Sequence, residues 1–180
     1  MDLPHGSSPD GANAAPSPGR PDISPVVRPA HLADDEGIAR VHADSWRETY
    51  GRFVDDPDDS PWFRVDRRVA MWNATLREDT HTTVVAEDPE GIVGFASTSP
   101  TTEPDAARAE ELTMIYVLER AHGTGLGQAL LDAVLGGRPA SLWVAADNPR
   151  AHVFYRRNGF LPDGAESSFG PIPRTVRLVR

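Results

Sequence analysis

The sequence predicts a single three-layer α/β domain in which helices flank a mixed central β-sheet. Strand-like apolar runs alternate with helical segments along 180 residues, a length that suits one domain. The run at 112–118 is largely apolar on both faces, which is typical of a strand covered by other layers on each side. It leads into a glycine-rich turn and an amphipathic helix, so we expect this run at the centre of the sheet.

The chain is expected to begin with a disordered tail at residues 1–24, followed by the folded domain at 25–180. The tail is rich in Pro, Gly, Ser and Ala and has few large apolar side chains. Such a segment cannot bury enough surface to offset the entropy cost of ordering it.

The first helix of the domain is predicted from a cap at Asp34 or Asp35 to about residue 50. Ile38, His42 and Trp46 recur at four-residue intervals and therefore share one face. We expect His42 to be a satisfied core or surface histidine rather than a catalytic base.

The remaining elements are predicted from the same kinds of pattern. The turn sequence Asp-Pro-Glu-Gly joins two of the predicted strands as a hairpin. The last helix begins at an N-cap followed by proline and ends at Asn-Gly. The predicted elements are a short strand at 26–29, an amphipathic helix at 62–76, hairpin strands at 82–87 and 92–98, a strand at 141–145, a helix from 148 to 158 and a strand at 175–180.

The turn after the central strand has the composition of a phosphate-binding loop. Gly123, Gly125 and Gly127 allow positive φ and a close approach of the backbone to a ligand. The next helix begins with unpaired N–H groups at the positive end of its dipole, which favours an anion such as a pyrophosphate. A flexible connection with spare glycines is the alternative interpretation.

Two common nucleotide-binding patterns are excluded at this turn. A Walker A loop requires a lysine, and all 18 basic residues of the chain are arginine. A dinucleotide fingerprint requires Gly or Ala at its sixth position, where the two possible registers have Gln128 or Leu130.

The neighbours of the turn make it more specific. Residues 120–127, Arg-Ala-His-Gly-Thr-Gly-Leu-Gly, resemble motif A of the GNAT (GCN5-related N-acetyltransferase) superfamily, Gln/Arg-x-x-Gly-x-Gly/Ala. His122 occupies the first defining position, where the family has Gln or Arg. Residues 148–160, Asn-Pro-Arg-Ala-His-Val-Phe-Tyr-Arg-Arg-Asn-Gly-Phe, resemble motif B of the same superfamily. The resemblance extends from about residue 26 to the C-terminus.

The resemblance implies a GNAT-like N-acetyltransferase domain that uses acetyl-CoA as co-substrate. In the family the backbone of the central strand, here Ile115, Tyr116 and Val117, binds the pantetheine arm and polarises the thioester. Asn148 matches the motif B asparagine that bonds the cofactor or a water, with a helix cap as the alternative. The turn residues expected at the cofactor are His122, Gly123, Thr124, Gly125, Leu126, Gly127 and Gln128.

Two residues are expected to carry the chemistry. Tyr155 occupies the position of the family's general-acid tyrosine, and a phenol with a pKa near 10 can donate to a thiolate leaving group. Glu111, at the start of the central strand, is the expected base, with Glu110 as a substitute and solvated surface charges as the alternative. Trp46 and Tyr50 lie in the segment that walls the acceptor site in the family, with core packing as the alternative.

Composition excludes several other classes of protein. The absence of cysteine removes disulfides, thiolate metal sites and a cysteine nucleophile, and the scattered histidines lack metal-ligand spacing, so no metal is expected. A net charge of −9 opposes binding to nucleic acid or to an anionic membrane. No apolar run approaches the ~20 residues that span a bilayer, and the chain starts polar, so a cytoplasmic protein is expected.

The expected function is therefore transfer of an acetyl group from acetyl-CoA to the primary amine of a small molecule, by direct attack in a ternary complex. A protein N-terminus or lysine as acceptor remains an alternative. A non-catalytic acyl-CoA-binding sensor is a second alternative, and a homodimer is left open.

Overall fold

The computed structural model of this chain describes residues 25–78, 80–101 and 106–180. The predicted tail at 1–24 lies outside the described residues. The elements are β1 (Val26–Pro29), α1 (Asp35–Tyr50), α2 (Val65–Thr75), β2 (Thr82–Asp88), β3 (Gly91–Pro100), β4 (Glu110–Val117), α3 (Leu126–Val134), β5 (Ser141–Ala145), α4 (Pro149–Arg157), β6 (Leu161–Phe169) and β7 (Ile172–Val179).

The strands form one mixed sheet in the order β1-β2-β3-β4-β5-β7-β6, in which β4 and β5 run parallel and the other neighbours run antiparallel. Alternating residues of β2 separate the two faces. Val85 packs with α1 and α2, whereas Val84 and Ala86 pack with α3 and α4. The predicted three-layer α/β domain with a mixed sheet is therefore confirmed.

The two parallel strands separate soon after they meet. Glu111 and Ser141 are the only residues of β4 and β5 that pair within the described part of the chain. On the other side of β4 the pairing with β3 shifts at Ser97 and Thr98, which leaves Thr113 as an extra residue in a β-bulge. The gap that opens between β4 and β5 provides the space for a ligand.

The structure departs from the sequence predictions at three places. The second helix does not run continuously from residue 62, because Arg64 is extended (φ −76°, ψ 122°) between a short 3-10 turn and α2. Strand β6 was missed because it is an exposed edge strand, with Pro and Gly in place of the usual alternation. Asp34 occupies the N-cap position of α1 but makes no side-chain cap bond, since its carboxylate accepts bonds from Arg28 at 2.7 and 2.9 Å and from the His31 N–H at 2.8 Å.

Candidate functional site

A cavity of about 590 Å³ occupies the gap between β4 and β5. Its walls come from α1, β4, the glycine turn, β5 and α4. The predicted site residues that line it are Tyr50, Ile115, Tyr116, Val117, His122, Gly123, Gly125, Leu126, Gly127, Gln128, Asn148 and Tyr155.

The glycine turn leaves its backbone open to the cavity. Gly123 (φ +78°) and Gly125 (φ +87°) are left-handed, and a Cβ added at either position would meet no atom within 4 Å. Leu126 follows as the first residue of α3, and the Gln128 N–H bonds to the Gly125 carbonyl at 3.0 Å, so the Leu126 and Gly127 amides precede the first bond of the helix. The turn therefore has both the room and the donors to hold a phosphate group.

The His122 ring joins the turn to β4 and to α4. Its Nε2 lies 2.8 Å from the Val117 carbonyl oxygen, and its Nδ1 lies 2.5 Å from Nη1 of Arg150. A carbonyl only accepts and a guanidinium only donates, so these contacts require the neutral ring with its proton on Nε2. Sequence reasoning missed Arg150, although it lies in the first turn of the motif B helix and lines the cavity.

Three tyrosines line the cavity close to one another. Burial raises the pKa of Tyr155 well above its usual value, and the neighbouring Tyr50 raises it further. Burial likewise raises the pKa of Tyr116 and of Tyr50. All three phenols therefore stay protonated at neutral pH, so they can donate hydrogen bonds but cannot serve as bases.

Asn148 lines the cavity and caps α4. Its side-chain oxygen accepts a hydrogen bond from the Ala151 N–H at 3.1 Å, and Pro149 follows in the first helical turn. The helix-cap interpretation of Asn148 is therefore confirmed.

Trp46 packs behind the cavity wall. It is 5% exposed, its Nε1 donates to the Tyr116 hydroxyl at 2.8 Å, and its ring stacks on Trp62 with centroids 5.8 Å apart. His42 is also buried, and burial together with Arg68 lowers its pKa to about 2. His42 is therefore a core histidine, one of the two placements expected for it.

Two other predicted site residues lie outside the cavity lining. Thr124 donates its hydroxyl to the Ala121 carbonyl at 2.8 Å, which tightens the turn. Glu111 is half-buried, immediately before the lining begins at Leu112. Its neighbour Glu110 forms a forked ion pair with Arg138 at 2.8 and 2.9 Å, and this bonding lowers the pKa of Glu110.

Sequence reasoning also missed two residues of α1. The Ser45 hydroxyl is buried at the cavity and has no hydrogen-bond partner among the described residues, which leaves it available to a polar ligand or a water. Glu48 lines the cavity too, and partial burial together with Glu119 raises the pKa of its carboxyl. Their spacing on α1 could have indicated a shared face, but nothing in the sequence shows that the face meets β4.

The described ranges lack two features of other protein classes. No cluster of three or more His, Asp or Glu side chains there is placed to hold a metal ion. No helix there is long and apolar enough to cross a membrane.

Comparisons with known proteins agree on one family. A profile described as an acetyltransferase (GNAT) domain matches residues 79–162. The chain is 33% identical over 138 residues to the uncharacterized N-acetyltransferase YuaI of Bacillus subtilis, an alignment that covers 73% of this chain and 77% of YuaI. It is 32% identical over 139 residues to a mycothiol acetyltransferase of Salinispora tropica, but that alignment covers 71% of this chain and only 41% of the relative.

Solved structures share the fold. A histone acetyltransferase HPA2 and related acetyltransferase from Corynebacterium glutamicum superposes with a TM-score of 0.64 at 24% identity, over 87% of this chain and 96% of that one. The PaiA N-acetyltransferase of Thermoplasma acidophilum, solved in complex with coenzyme A, superposes with a TM-score of 0.60 at 17% identity. The superposition covers 86% of this chain and 98% of that one. At these identities the likeness concerns the fold alone.

Proposed function

The chain belongs to the GNAT family of acyl-CoA-dependent N-acetyltransferases, and we propose that it transfers the acetyl group of acetyl-CoA to the primary amine of a small molecule. The amine attacks directly while both substrates are bound. The observation that carries this proposal is the separation of β4 from β5 directly beside an open glycine turn.

The residues present fit an acyl-CoA. The open amides around Gly123, Gly125 and Gly127 suit a diphosphate, and the backbone of Ile115–Val117 along the gap suits the amides of a pantetheine arm. Bound there, acetyl-CoA would supply an activated acyl group as a thioester. The remaining chemistry belongs to side chains of this chain.

Tyr155 is proposed as the proton donor. Its buried phenol lines the cavity and stays protonated, which suits donation to a departing sulfur. The edge-to-face contacts of its ring with Phe154 and Phe160 hold it in place.

Glu111 is proposed as the proton acceptor for the amine, acting through water. Its place before the first lining residue of β4 supports a role through a water rather than by direct contact. Glu110 is the weaker choice, because Arg138 stabilises its carboxylate and lowers its basicity.

The acceptor is proposed to meet the α1 side of the cavity. Tyr50 and the unpartnered Ser45 hydroxyl line this side, whereas Trp46 supports it from behind through Tyr116. The relatives named mycothiol acetyltransferases support a small-molecule acceptor over a protein.

A thiol-release assay with acetyl-CoA and a panel of small amines, peptides with free N-termini and lysine peptides tests this function. The chain has no cysteine, so the protein contributes no thiol background. Release stimulated by small amines is the expected result. Stimulation by peptides alone would favour a protein acceptor, and saturable acetyl-CoA binding without release across the panel would favour a sensor.

A further inference from the structure

Arg150 is an exposed cation at the mouth of the cavity. It lies in the first turn of α4 and lines the cavity, and within the described residues no carboxylate lies within ion-pair distance of it. Arg52, on the neighbouring wall, has by contrast its own carboxylate, Asp147, at 2.8 Å. In a chain of net charge −9, an unpaired guanidinium at a cavity mouth is available to an anionic ligand.

His122 has no hydrogen-bond donor left for a ligand. Its only N–H is used on the Val117 carbonyl, and its other nitrogen faces Arg150. The first side chain of motif A therefore cannot bond an anion directly. It instead holds a guanidinium that uses one of its five N–H donors on the ring and keeps four.

Carboxylates and arginines share this mouth. Glu48 and Glu119 line the smaller recess beside the turn, together with His122 and Arg150. Carboxylates so close to the glycine turn would repel a diphosphate. A positive side chain beside the turn offsets that repulsion.

We propose that Arg150, held on the neutral His122 ring, is a side-chain cation that binds the diphosphate of the acyl-CoA. This inference rests on the proposed function. Arg150 supplies from α4 the charge that backbone amides of the turn lack, and it offers the planar donor pair that suits phosphate oxygens. His122 is a positioning residue.

The test is calorimetric binding of CoA, dephospho-CoA and pantetheine to the whole protein. Arg150→Gln is expected to weaken the binding of CoA and of dephospho-CoA by at least about tenfold. The binding of pantetheine, which has no diphosphate, should stay unchanged. Arg156→Gln, an exposed arginine of the same helix that does not line the cavity, is the matched control and should bind CoA like the wild type.

Three results would overturn the inference. One is CoA binding by Arg150→Gln at wild-type affinity, and another is an equal loss in Arg156→Gln. The third is a loss seen with CoA but not with dephospho-CoA, which would assign Arg150 to the 3′-phosphate. If the wild type itself does not bind CoA, the proposed function fails instead, so the two failures are distinguishable.

The positioning role of His122 is tested in the same assay. His122→Ala should weaken CoA binding, and adding Arg150→Gln should weaken it no further, because both changes remove the same interaction. His122→Gln can still donate to Val117 and accept from Arg150, so it should restore affinity to within about threefold of the wild type. Fully multiplicative losses, or no rescue in a His122→Gln protein with wild-type melting, would contradict this role.

Discussion

The indole Nε1 of Trp46 donates a hydrogen bond to the Tyr116 hydroxyl at 2.8 Å, which joins α1 to the strand that forms the cavity wall. Both side chains are partners in a larger aromatic cluster, since His42 stacks on Tyr116 with centroids 5.2 Å apart. The wall of the cavity is therefore held from behind by groups that do not line the cavity themselves.

Tyr116→Phe is expected to lower the free energy of unfolding by about 1–3 kcal/mol, because it leaves the buried Trp46 N–H without its acceptor. Urea unfolding measures the loss. The double variant Trp46→Phe/Tyr116→Phe has no orphaned donor, so a double-mutant cycle should show coupling between the two residues. Strictly additive effects would mean that the bond contributes little.

Tyr155→Phe is expected to lower kcat by about a hundredfold while CoA binding stays near the wild-type value, because the phenyl ring keeps the packing but loses the proton donor. Steady-state kinetics and calorimetry give the two values. Tyr50→Phe, on the proposed acceptor side, should instead change the KM for the amine more than kcat. An unchanged kcat in Tyr155→Phe would remove the acid role.

Acid is expected to destabilise the protein through His42. The folded state keeps His42 neutral down to about pH 2, whereas the unfolded chain binds a proton near the ordinary pKa of 6.5. The unfolded state thus binds more protons between these values, so stability is complete above pH 6.5 and falls as the pH drops below it. The slope contributed by this group approaches about 1.4 kcal/mol per pH unit.

The variant His42→Gln isolates this contribution, because the amide does not titrate in this range. Urea unfolding at pH 7, 6 and 5 should show a shallower dependence on pH in the variant than in the wild type. Burial raises the pKa of Asp34, but the bonds from Arg28 and His31 outweigh burial and lower this pKa overall. Asp34 therefore adds a loss of stability below about pH 4 in both proteins. Parallel curves for the two proteins above that pH would refute the assignment to His42.

Gly125→Ala is expected to cost about 1–2 kcal/mol of stability, because a side chain is strained at φ +87° although it meets no atom. CoA affinity should fall as well, since the turn amides would shift. Gly137→Ala is the control, as its added Cβ also meets nothing and its φ is not left-handed. Equal thermal midpoints for the two variants would show that strain at Gly125 is absent.

The sequence by itself determined the features that depend on neighbours along the chain. The strand, the glycine turn and α3 follow from local φ preferences and apolar periodicity, and a cap at Asp147 or Asn148 follows from polar side chains placed before a proline. The order of motifs identified the family. Strand β6 was not predicted, because an exposed edge strand has no buried face to impose an alternation of apolar and polar residues.

Only the tertiary structure decided which residues meet at the cavity. Trp46 and Tyr116 are 70 positions apart, and His122 and Arg150 are 28 apart, so their contacts depend on how the helices dock on the two faces of the sheet. The same docking put Ser45 and Glu48 on the cavity wall and kept Trp46 behind it. No local pattern encodes these pairings, because side-chain packing between elements distant in sequence sets them.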